Sequence, residues 1–402
     1  MIKIGFWFDA PFEYTGGLNY IRNLLHALAQ VDDGSFRPYV FFAADLPTAI
    51  EQQFLPYATV VRTRLIQRGT VPWFFHRVLE RTLGIMPMFR WMLKSHGIDV
   101  LSHLQFPCKG TMPCRIISWV PDFQYLHLPH LFPRLDADKE TRTLRALVAQ
   151  SDRVILSSED AFQDFKRIAP AEHWARARVL PFVSQPRARA ADEPTLEAIG
   201  RKYGFSGRYF HLPNQFWAHK NHMVVLQAVD RLKRSGTDVQ VLCTGNPRDD
   251  RLGGTQYIDD LRTFIEANGL QSNIRLLGLI DYTEMLVLMR NSVAVLNPSR
   301  FEGWSSSVEE AKSMGRPVVL SNIGTHVEQQ PAHGHYFHPD DADALAAILE
   351  RVWSASDELS RTELEANAAA ALQARTLDFG RGYQRILREV TADLAPQPKG
   401  HA

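Results

Sequence analysis

Cysteine is scarce in this chain, and its scarcity argues against two classes of protein. Three cysteines in 402 residues cannot build a disulfide framework. Because no C-x-x-C pair occurs, the cysteines do not predict a zinc site either. We expect Cys108 and Cys114 to lie in or near a core as reduced thiols, which is typical of the cytosol.

Long apolar runs are also missing. No stretch approaches the roughly 18 uncharged apolar residues of a membrane-spanning helix. The opening residues reach Asp9 before an apolar stretch of about seven has formed, so they do not resemble a signal peptide. We therefore expect a cytoplasmic protein, either free or attached to a membrane surface.

Neither sign of charge is in excess, since 45 basic and 44 acidic side chains leave a net charge of +1. Nucleic-acid binders are normally strongly basic, so we expect no nucleic-acid partner. A balanced total can nevertheless conceal local patches of one sign.

One such patch lies between residues 62 and 94. Its only acidic residue is Glu80, against seven basic ones: Arg62, Arg64, Arg68, Arg77, Arg81, Arg90 and Lys94. Five aromatic residues are interleaved with them: Trp73, Phe74, Phe75, Phe89 and Trp91. The mixture suits a helix on an anionic membrane, and a core helix with a solvated basic face is an equal alternative. Pro87 should break or kink the helix predicted over 72–94.

Short apolar runs alternate with longer amphipathic ones along the whole chain. The strands predicted before residue 182 are 3–8, 39–42, 59–62, 100–101, 116–120 and 154–156, and those after it are 209–212, 239–243, 274–277, 293–296 and 318–320. This alternation predicts two α/β halves, each a doubly wound parallel sheet covered by helices on both faces. Residues 184–194, rich in Pro, Arg, Ala and Asp, predict a linker between domains at 1–185 and 195–375.

The alternation also indicates where ligands should bind. In open parallel sheets, ligands bind beyond the carboxyl ends of the strands. We therefore expect the site in a central cleft between the two halves.

The stretch that begins at Asn297, N-P-S-R-F-E-G-W-S-S-S-V-E-E-A-K-S-M-G-R-P-V-V-L-S, carries the most information. It predicts a strand end, a loop, a helix that starts near Ser305 and Ser306, a turn and a strand. A helix start offers free backbone N–H groups and partial positive charge, which suit a phosphate. Gly303 allows close backbone approach. Glu302 and Glu310 bracket this anion site and could accept hydrogen bonds from sugar and ribose hydroxyls.

This segment resembles the retaining glycosyltransferases of family 4, which have the GT-B fold. Glu302 and Glu310, with seven residues between them, have the spacing of the family's hallmark. Further positions also match: Pro298, Ser299, Gly303, Ala311, Gly315, Pro317 and Val318. The family usually has G-L-P where this chain has three serines from Ser305 onward, so backbone amides would provide the phosphate contacts.

A second match is L-P-N-Q-F-W-A-H-K-N-H at residues 212–222. The family usually places an Arg and a Lys here, both aimed at the donor's diphosphate. Lys220 fits the Lys, whereas Asn214 stands at the Arg position and Arg300 could supply the missing cation. His219 and His222 resemble a metal pair, but no third ligand lies nearby in the sequence, so we expect no metal.

Two weaker matches lie in the first half. Gly16 and Gly17 resemble the family's first-strand glycine loop, although a plain connecting turn is nearly as good an interpretation. No G-x-G-x-x-G is present, which argues against a dinucleotide oxidoreductase. Many relatives carry a His-Asp pair where this chain has Pro121 and Asp122. Asp122 is the candidate acceptor-side group, with His127 or His103 as a possible replacement for the missing His and a turn Asp as the alternative.

The resemblance implies transfer of a hexose, such as mannose or rhamnose, from a nucleotide-diphosphate sugar with retention at the anomeric carbon. Lys220, Arg300 and the helix start would stabilise the departing diphosphate without metal or cofactor. Glu302 would hold sugar hydroxyls and Glu310 the ribose, while Gly245 and Trp304 would line the donor site.

The acceptor implied by the resemblance is a glycan or a lipid-linked intermediate of cell-surface polysaccharide synthesis, reached from the inner face of the membrane. The closing helix at about 376–394 would pack back on the first domain. The alternatives are a non-catalytic nucleotide-sugar-binding protein, or an epimerase or hydrolase of the same fold.

Overall fold

The computed structural model describes residues 1–8, 15–82, 86–108, 110–133, 135–186, 193–249, 254–355 and 361–392. The chain divides into two compact units. Unit 1 comprises Met1–Phe123, Asp136–Val183 and Ala374–Ala402, and unit 2 comprises Gln124–Leu135 and Ser184–Gln373. Residues 187–192, which make up most of the linker predicted over 184–194, lie outside the described part of the chain.

Unit 1 contains a seven-stranded parallel sheet. Its strands are β1 (Ile2–Trp7), β2 (Phe36–Ala43), β3 (Thr59–Thr63), β4 (Val100–Leu104), β5 (Arg115–Val120), β6 (Arg153–Leu156) and β7 (Ala177–Val179), in the spatial order β3-β2-β1-β4-β5-β6-β7. Its helices are α1 (Thr15–Val31), α2 (Thr48–Glu51), α3 (Val71–Thr82), α4 (Pro87–His96), α6 (Ala137–Gln150) and α7 (Glu159–Ile168). A 3-10 segment at Ala171–Arg176 leads into β7.

Unit 2 contains a six-stranded parallel sheet. Its strands are β8 (Phe210–Leu212), β9 (Val241–Thr244), β10 (Ile274–Gly278), β11 (Val295–Asn297), β12 (Val318–Ser321) and β13 (Gly334–Phe337), in the order β10-β9-β8-β11-β12-β13. Its helices are α5 (Gln124–His127), α8 (Leu196–Tyr203), α9 (His222–Arg234), α10 (Gln256–Ala267), α11 (Tyr282–Asn291), α12 (Ser306–Ser313), α13 (Gly324–Gln329) and α14 (Ala342–Ser354), with 3-10 segments at Pro129–Leu131 and Ala218–Lys220.

The core of unit 2 shows how the sequence pattern forms these layers. Helix α9 buries Val225, Val229 and Leu232 against the sheet, at the spacing of one helix face. The strands beneath are buried on both faces, as continuous apolar runs require. The predicted α/β fold with two parallel sheets is therefore confirmed.

The order of strands in unit 2 reverses between β8 and β11, which pair with each other. The loops that follow these two strands therefore leave the sheet side by side. Such a reversal is the place where open parallel sheets bind ligands.

Several elements differ from the sequence prediction. The single helix predicted over 72–94 is two helices, and α4 begins at Pro87, the residue expected to break it. The helix predicted from residue 219 begins at His222, because Asn221 adopts a left-handed conformation with φ of 57°. Strands β7 and β13 and helices α8 and α13 were not predicted from the sequence.

The last helix, α15 (Arg361–Thr391), is longer than the predicted closing helix and belongs to both units. In unit 2, Gly315 leaves no room for a side chain because a Cβ there would lie 2.3 Å from the carbonyl oxygen of Leu364. In unit 1, Tyr383 donates a 2.7 Å hydrogen bond from its hydroxyl to Ser102 Oγ.

The cysteines behave as the sequence predicts. Cys108 is buried and Cys114 packs against the same apolar cluster of unit 1, both as free thiols. Burial raises the pKa of each thiol to about 12. None of the described helices combines the length and the apolarity that crossing a bilayer requires.

Candidate functional site

A buried amide pair joins the two loops at the strand reversal of unit 2. Asn214, just after β8, donates from Nδ2 to Oδ1 of Asn297, the last residue of β11, over 3.0 Å. Asn297 Nδ2 in turn donates to the hydroxyl of Ser305 over 2.7 Å and to that of Ser307 over 3.2 Å. Asn214, which stands where the family usually has an Arg, thus orders the loops from within rather than presenting a cation.

Lys220 and Glu302 meet at this point. Lys220 lies in the 3-10 segment after β8 and Glu302 in the loop after β11. Lys220 Nζ lies 2.7 Å from Glu302 Oε1 and 2.8 Å from Oε2. The structure therefore brings together two of the three residues that the sequence predicts to be catalytic, and the third, Asp122, belongs to unit 1.

The charge of Glu302 is maintained by its neighbours. Burial by itself would raise the pKa of this carboxyl, but the adjacent Lys220 ammonium and the hydroxyl of Ser299 hold the pKa below its usual value. Ser299 Oγ lies 2.7 Å from both Glu302 Oε1 and Asn297 Oδ1, so its single proton can be donated to only one of them at a time. The Glu302 carboxylate therefore remains ionised at neutral pH.

Helix α13 supplies two further neighbours that the sequence did not indicate. Thr325 donates from its hydroxyl to the backbone oxygen of Glu302 over 2.8 Å. His326 is fully buried, and its Nδ1 lies 3.0 Å from the backbone oxygen of Ser321. Burial lowers the pKa of His326 to about 4, although Glu302 opposes the shift. Its Nε2 has no hydrogen-bond partner among the described residues.

The N-cap side chain leaves the first backbone N–H groups of α12 uncapped. Ser305 is the N-cap residue, yet its side chain makes no capping hydrogen bond, because Asn297 binds the hydroxyl. Ser306, the first residue of the helix, is exposed. Gln329 closes the buried side of this turn by donating from Nε2 to the backbone oxygen of Ser305 and to Glu309 Oε1. First-turn N–H groups that no side chain caps suit a phosphate oxygen.

Glu310 lies one turn further along α12 and is buried. The hydroxyl of Tyr282, the first residue of α11, donates to Glu310 Oε1 over 2.7 Å. This contact fixes one carboxylate oxygen. Tyr282 was not a sequence-predicted site residue.

Gly245 follows β9 and packs directly against the loop that carries Asn214. A Cβ at Gly245 would lie 2.4 Å from the backbone oxygen of Asn214, so only glycine fits. Gly303 and Trp304 are partly exposed between Glu302 and the start of α12. These three predicted donor-binding residues therefore border the same loops.

Arg300, the predicted replacement cation, already has an ion-pair partner. Its guanidinium forms an ion pair with Asp340, and its backbone N–H donates to the backbone oxygen of His219 over 2.8 Å. His222 stacks on Phe216 with the ring centroids 4.8 Å apart, and His219 lies beside Trp217. Among the described residues, no cluster of three or more His, Cys, Asp or Glu is arranged to hold a metal ion.

The predicted residues of unit 1 lie at the carboxyl ends of its own strands. Gly16 and Gly17 form part of the first turn of α1 rather than a loop before it, and residues 9–14 lie outside the described part. Gly17 lines a cavity of about 210 Å³ together with aromatic residues of β1 and β5. Asp122 is exposed just after β5.

The two histidines considered as replacements for the missing one belong to different units. His103 is a buried residue of unit 1 with φ of 60°, at an irregularity in the pairing of β4 with β5. Its ring nitrogens contact Ser102 Oγ at 2.8 Å and Tyr20 Oη at 2.9 Å. His127 belongs to unit 2, where its ring packs 5.0 Å from that of Phe301.

Comparison with known proteins identifies the domain that carries the site. Residues 201–355 match the family model "Glycosyl transferases group 1". This range contains Lys220, Glu302 and Glu310, so the resemblance that the sequence predicts is confirmed.

Curated relatives match over part of their length. The O-antigen chain mannosyltransferase RfbU of Salmonella typhimurium is 23% identical over 38% of this chain and 40% of its own. The alpha-D-kanosaminyltransferase of Streptomyces kanamyceticus is 24% identical over 49% of each chain. A glycogen synthase of Mycobacterium tuberculosis is 30% identical over 38% of this chain and 34% of its own. The chain thus spans half or less of the length of these relatives.

Solved structures resemble the chain along nearly all of its length. A glycosyltransferase from Rickettsia africae superposes with a TM-score of 0.68 at 14% identity, covering 97% of this chain and 98% of that one. Anabaena Alr3699/HepE, solved in complex with UDP and glucose, superposes with a TM-score of 0.67 at 16% identity, covering 96% of this chain and 99% of that one. At such identities the likeness establishes the fold, which is that of glycosyltransferases with two α/β domains.

Proposed function

We propose that this chain is a retaining glycosyltransferase that moves a hexose from a nucleotide-diphosphate sugar to a glycan or lipid-linked acceptor. The observation that carries the proposal is the Lys220–Glu302 pair, set at the strand reversal of a domain that matches the glycosyl transferases group 1 model. The start of α12 lies in the same group of loops. Cation, carboxylate and helix start together fit a diphosphate joined to a sugar.

A nucleotide sugar is the donor that these groups suit. Structures of Anabaena Alr3699/HepE, a relative in fold, contain UDP with glucose and UDP-glucose. In this chain, Glu310 would accept from the ribose hydroxyls and Glu302 from those of the hexose. Gly245, Gly303 and Trp304 would line the donor.

The reaction exchanges one bond at the anomeric carbon for another on the same face of the sugar. The bond to the diphosphate oxygen breaks, and a bond to the acceptor oxygen forms. The acceptor's hydroxyl proton leaves with the diphosphate. Lys220 and the backbone N–H groups at the start of α12 stabilise the negative charge that grows on the leaving group. This route requires neither a metal nor a cofactor.

For the acceptor side we propose that Asp122 makes a polar contact with the acceptor. We propose that this acceptor is a glycan or a lipid-linked intermediate of cell-surface polysaccharide synthesis. The relative in Salmonella is named an O-antigen chain mannosyltransferase, which favours mannose or a related hexose as the transferred sugar. We place the enzyme in the cytoplasm, peripheral to the membrane that would hold a lipid-linked acceptor.

A thermal-shift panel with UDP, GDP, dTDP and ADP tests the donor site, followed by turnover of nucleotide sugars carrying the best base. We expect one nucleotide to raise the melting temperature. Lys220→Ala and Glu302→Ala should each lower turnover about 10²–10³-fold, the usual effect of removing a group that stabilises transition-state charge. The matched control is Lys233→Ala, an exposed lysine of α9 whose Nζ binds the backbone oxygen of Gly269.

Two results would overturn the proposal in different ways. If no nucleotide stabilises the protein, the donor site is wrong. If a nucleotide binds but no sugar is transferred to any acceptor extract, the chain is a nucleotide-sugar-binding protein or acts on the donor alone.

A further inference from the structure

Helix α13 turns its polar side chains inward. Thr325, His326 and Gln329 are buried, with exposed fractions of 1%, 0% and 2%, respectively. Val327, between them, is 49% exposed. A surface helix normally buries its apolar face instead. Buried polar side chains need hydrogen-bond partners, and Thr325 and Gln329 find theirs in the loop of Glu302 and at the start of α12.

His326 differs from these two residues, because one of its ring nitrogens is unused. Its Nδ1 lies 3.0 Å from the backbone oxygen of Ser321 and 3.1 Å from Ser321 Oγ. The backbone oxygen can only accept, and Ser321 Oγ donates its own proton to the backbone oxygen of Ser299. Nδ1 therefore carries the ring proton, and the lone pair of the neutral ring lies on Nε2. Nε2 has no hydrogen-bond partner among the described residues, so its lone pair is available for a proton.

Two opposite charges act on His326 from the neighbouring loops. Burial is the largest influence and lowers the pKa of the imidazole to about 4. Glu302 opposes this shift, whereas Lys220 adds to it. While Lys220 is bound to Glu302, the effects of the two charges largely cancel, so the ring stays neutral.

Other charged and titratable groups lie on the elements around α13. On α12, Glu309 and Lys312 neutralise each other in an ion pair of 2.8 Å. On β13, the hydroxyl of Tyr336 donates to the backbone oxygen of His326 over 3.4 Å, and burial raises the pKa of this tyrosine. Glu328 lies on α13 itself. The charge balance at the imidazole therefore rests mainly on Glu302 and Lys220.

A bound donor would change this balance. The diphosphate of the proposed donor brings negative charge to the start of α12. Its oxygens also compete with Glu302 for the N–H groups of Lys220. Both effects favour a cation at His326, because an opposite charge nearby stabilises the charged form of a titratable group.

We propose that His326 takes up a proton from solvent when the donor binds, and that the imidazolium then compensates the charge of Glu302 in place of Lys220. The proton adds to Nε2, while Nδ1 keeps its hydrogen bond to Ser321. His326 is thus a positioning residue, which acts on the transferred sugar through Glu302. The inference rests on the proposed function, since it requires a diphosphate donor.

Proton uptake on binding implies that the donor binds more tightly as the pH falls, because the two equilibria are linked. The experiment is calorimetric titration of the full chain from about pH 7.5 to about pH 5.5. The probes are UDP-glucose, GDP-mannose, dTDP-rhamnose and ADP-glucose, one for each base of the thermal-shift panel. The diphosphate of a nucleotide sugar is esterified at both ends and does not titrate in this range, so a change in affinity comes from the protein. We expect the Kd of the wild type to fall about three- to tenfold.

Matched variants assign the effect to His326. His326→Gln cannot take up the proton, so its Kd should change less than about twofold over the same range. His211→Gln is the control. His211 is also fully buried in unit 2, where its Nε2 lies 3.0 Å from Thr244 Oγ1, and burial is the cause that lowers its pKa. This variant should keep the pH dependence of the wild type.

A second measurement needs no variant. At about pH 6, the heat of binding to the wild type is measured in two buffers that differ in their heat of ionisation. The difference gives the number of protons taken up or released. We expect a net uptake of up to about one proton. No uptake, or a net release, overturns the proposal even if His326→Gln does not fold.

The outcomes separate this inference from the proposed function. If a nucleotide sugar binds and His326→Gln has the pH dependence of the wild type, another group takes up the proton. The inference is then wrong and the proposed function stands. If none of the four probes binds at any pH in the range, the proposed function fails and this inference fails with it.

Discussion

Lys220 Nζ contacts both carboxylate oxygens of Glu302, at 2.7 and 2.8 Å, across the ends of the adjacent strands β8 and β11. Both side chains are largely buried, so each charge depends on the other. An incoming phosphate oxygen would compete with Glu302 for the N–H groups of Lys220. Binding of the proposed donor would therefore exchange one charge-assisted contact for another rather than create an isolated cation.

This mutual dependence predicts unequal effects of single and double substitutions. Lys220→Met leaves a buried carboxylate without its cation and should lower the free energy of unfolding by about 3–5 kcal/mol. Lys220→Met/Glu302→Gln removes both charges and should recover most of that loss. Urea unfolding at neutral pH measures both. Equal losses in the single and double variants would show that the pair does not carry the stability assigned to it.

The same pair predicts that removing Lys220 reverses the effect of Glu302 on how stability changes with pH. Because the folded-state pKa of Glu302 is held below the ordinary 4.5, its contribution to stability is present above that pH. It is lost as the pH falls through the lowered pKa. In Lys220→Met the ammonium no longer opposes burial, which is the largest influence on this carboxyl, although Ser299 and His326 still do. The pKa of Glu302 should therefore rise above its ordinary value, so that this carboxyl destabilises the fold as the pH rises. Urea unfolding over a pH series, with Glu302→Gln as the non-titrating reference, should show opposite slopes.

Buried histidines predict acid sensitivity in a higher pH window. Burial lowers the pKa of His103, His211 and His222 to about 3 and that of His326 to about 4, against the ordinary 6.5. Between 6.5 and about 4 the unfolded chain takes up protons that the folded chain does not. Stability is therefore present above 6.5 and lost as the pH falls, by up to about 1.4 kcal/mol per pH unit for each histidine.

Removing one histidine should reduce this slope. His326→Gln is expected to lose less stability than the wild type on acidification from neutral pH to about pH 5. The exposed His130→Gln serves as the control, and its slope should match that of the wild type. Equal slopes in all three proteins would contradict the assignment for His326.

The hydroxyl of Tyr282 is expected to tune nucleotide affinity without touching the reacting atoms. Tyr282→Phe removes the 2.7 Å hydrogen bond to Glu310 Oε1 and so weakens the hold on that carboxylate oxygen. We expect nucleotide Kd to rise about three- to tenfold, as for the loss of about 1 kcal/mol, with kcat little changed. Calorimetry and steady-state kinetics measure the two quantities. A fall in kcat with an unchanged Kd would place Tyr282 in the chemistry instead.

Gly245 is expected to be the glycine of the donor loops least tolerant of a side chain. In Gly245→Ala the new Cβ meets the backbone oxygen of Asn214 at 2.4 Å, so one of the two loops must move. Gly278→Ala is the matched control, because Gly278 has φ of 73° but open space around it. In the control, the left-handed backbone at Gly278 should lower the free energy of unfolding by about 1–2 kcal/mol. Gly245→Ala should lower it clearly more. Thermal and urea unfolding of the two variants compare these losses.

Much of the fold follows from local pattern. Strands such as β2 and β11 are recognisable because burial on both faces makes them almost continuously apolar. Helices such as α9 are recognisable because burial on one face repeats about every 3.6 residues. The short strands β7 and β13 escape prediction, because three or four residues with partial burial carry too little of that pattern. The break between α3 and α4 was predictable from Pro87, since proline cannot continue a helix.

The sequence predicted only those residues of the candidate site that lie in motifs with a recognisable spacing. Glu302, Glu310 and Lys220 lie in motifs that follow strands, and neighbouring strand ends meet at one edge of a sheet. Tyr282, Gln329 and His326 reach the same loops from helices whose sequences carry no motif. For Arg300 and Asn214, residue type suggested a donor contact, and the sequence did not show which partners they have in the fold. The fold pairs Arg300 with Asp340 and ties Asn214 to Asn297.

The sequence by itself determined the two α/β halves, the reduced thiols and the placement of Lys220, Glu302 and Glu310 after strands, because local periodicity and spacing encode them. Only the tertiary structure decided that Lys220 and Glu302 form one buried ion pair, since 82 residues separate them along the chain. It alone decided, too, that Phe74 and Phe75 of α3 face solvent. Their spacing is that of a core face, and which side of a helix meets the core depends on the surface packed against it.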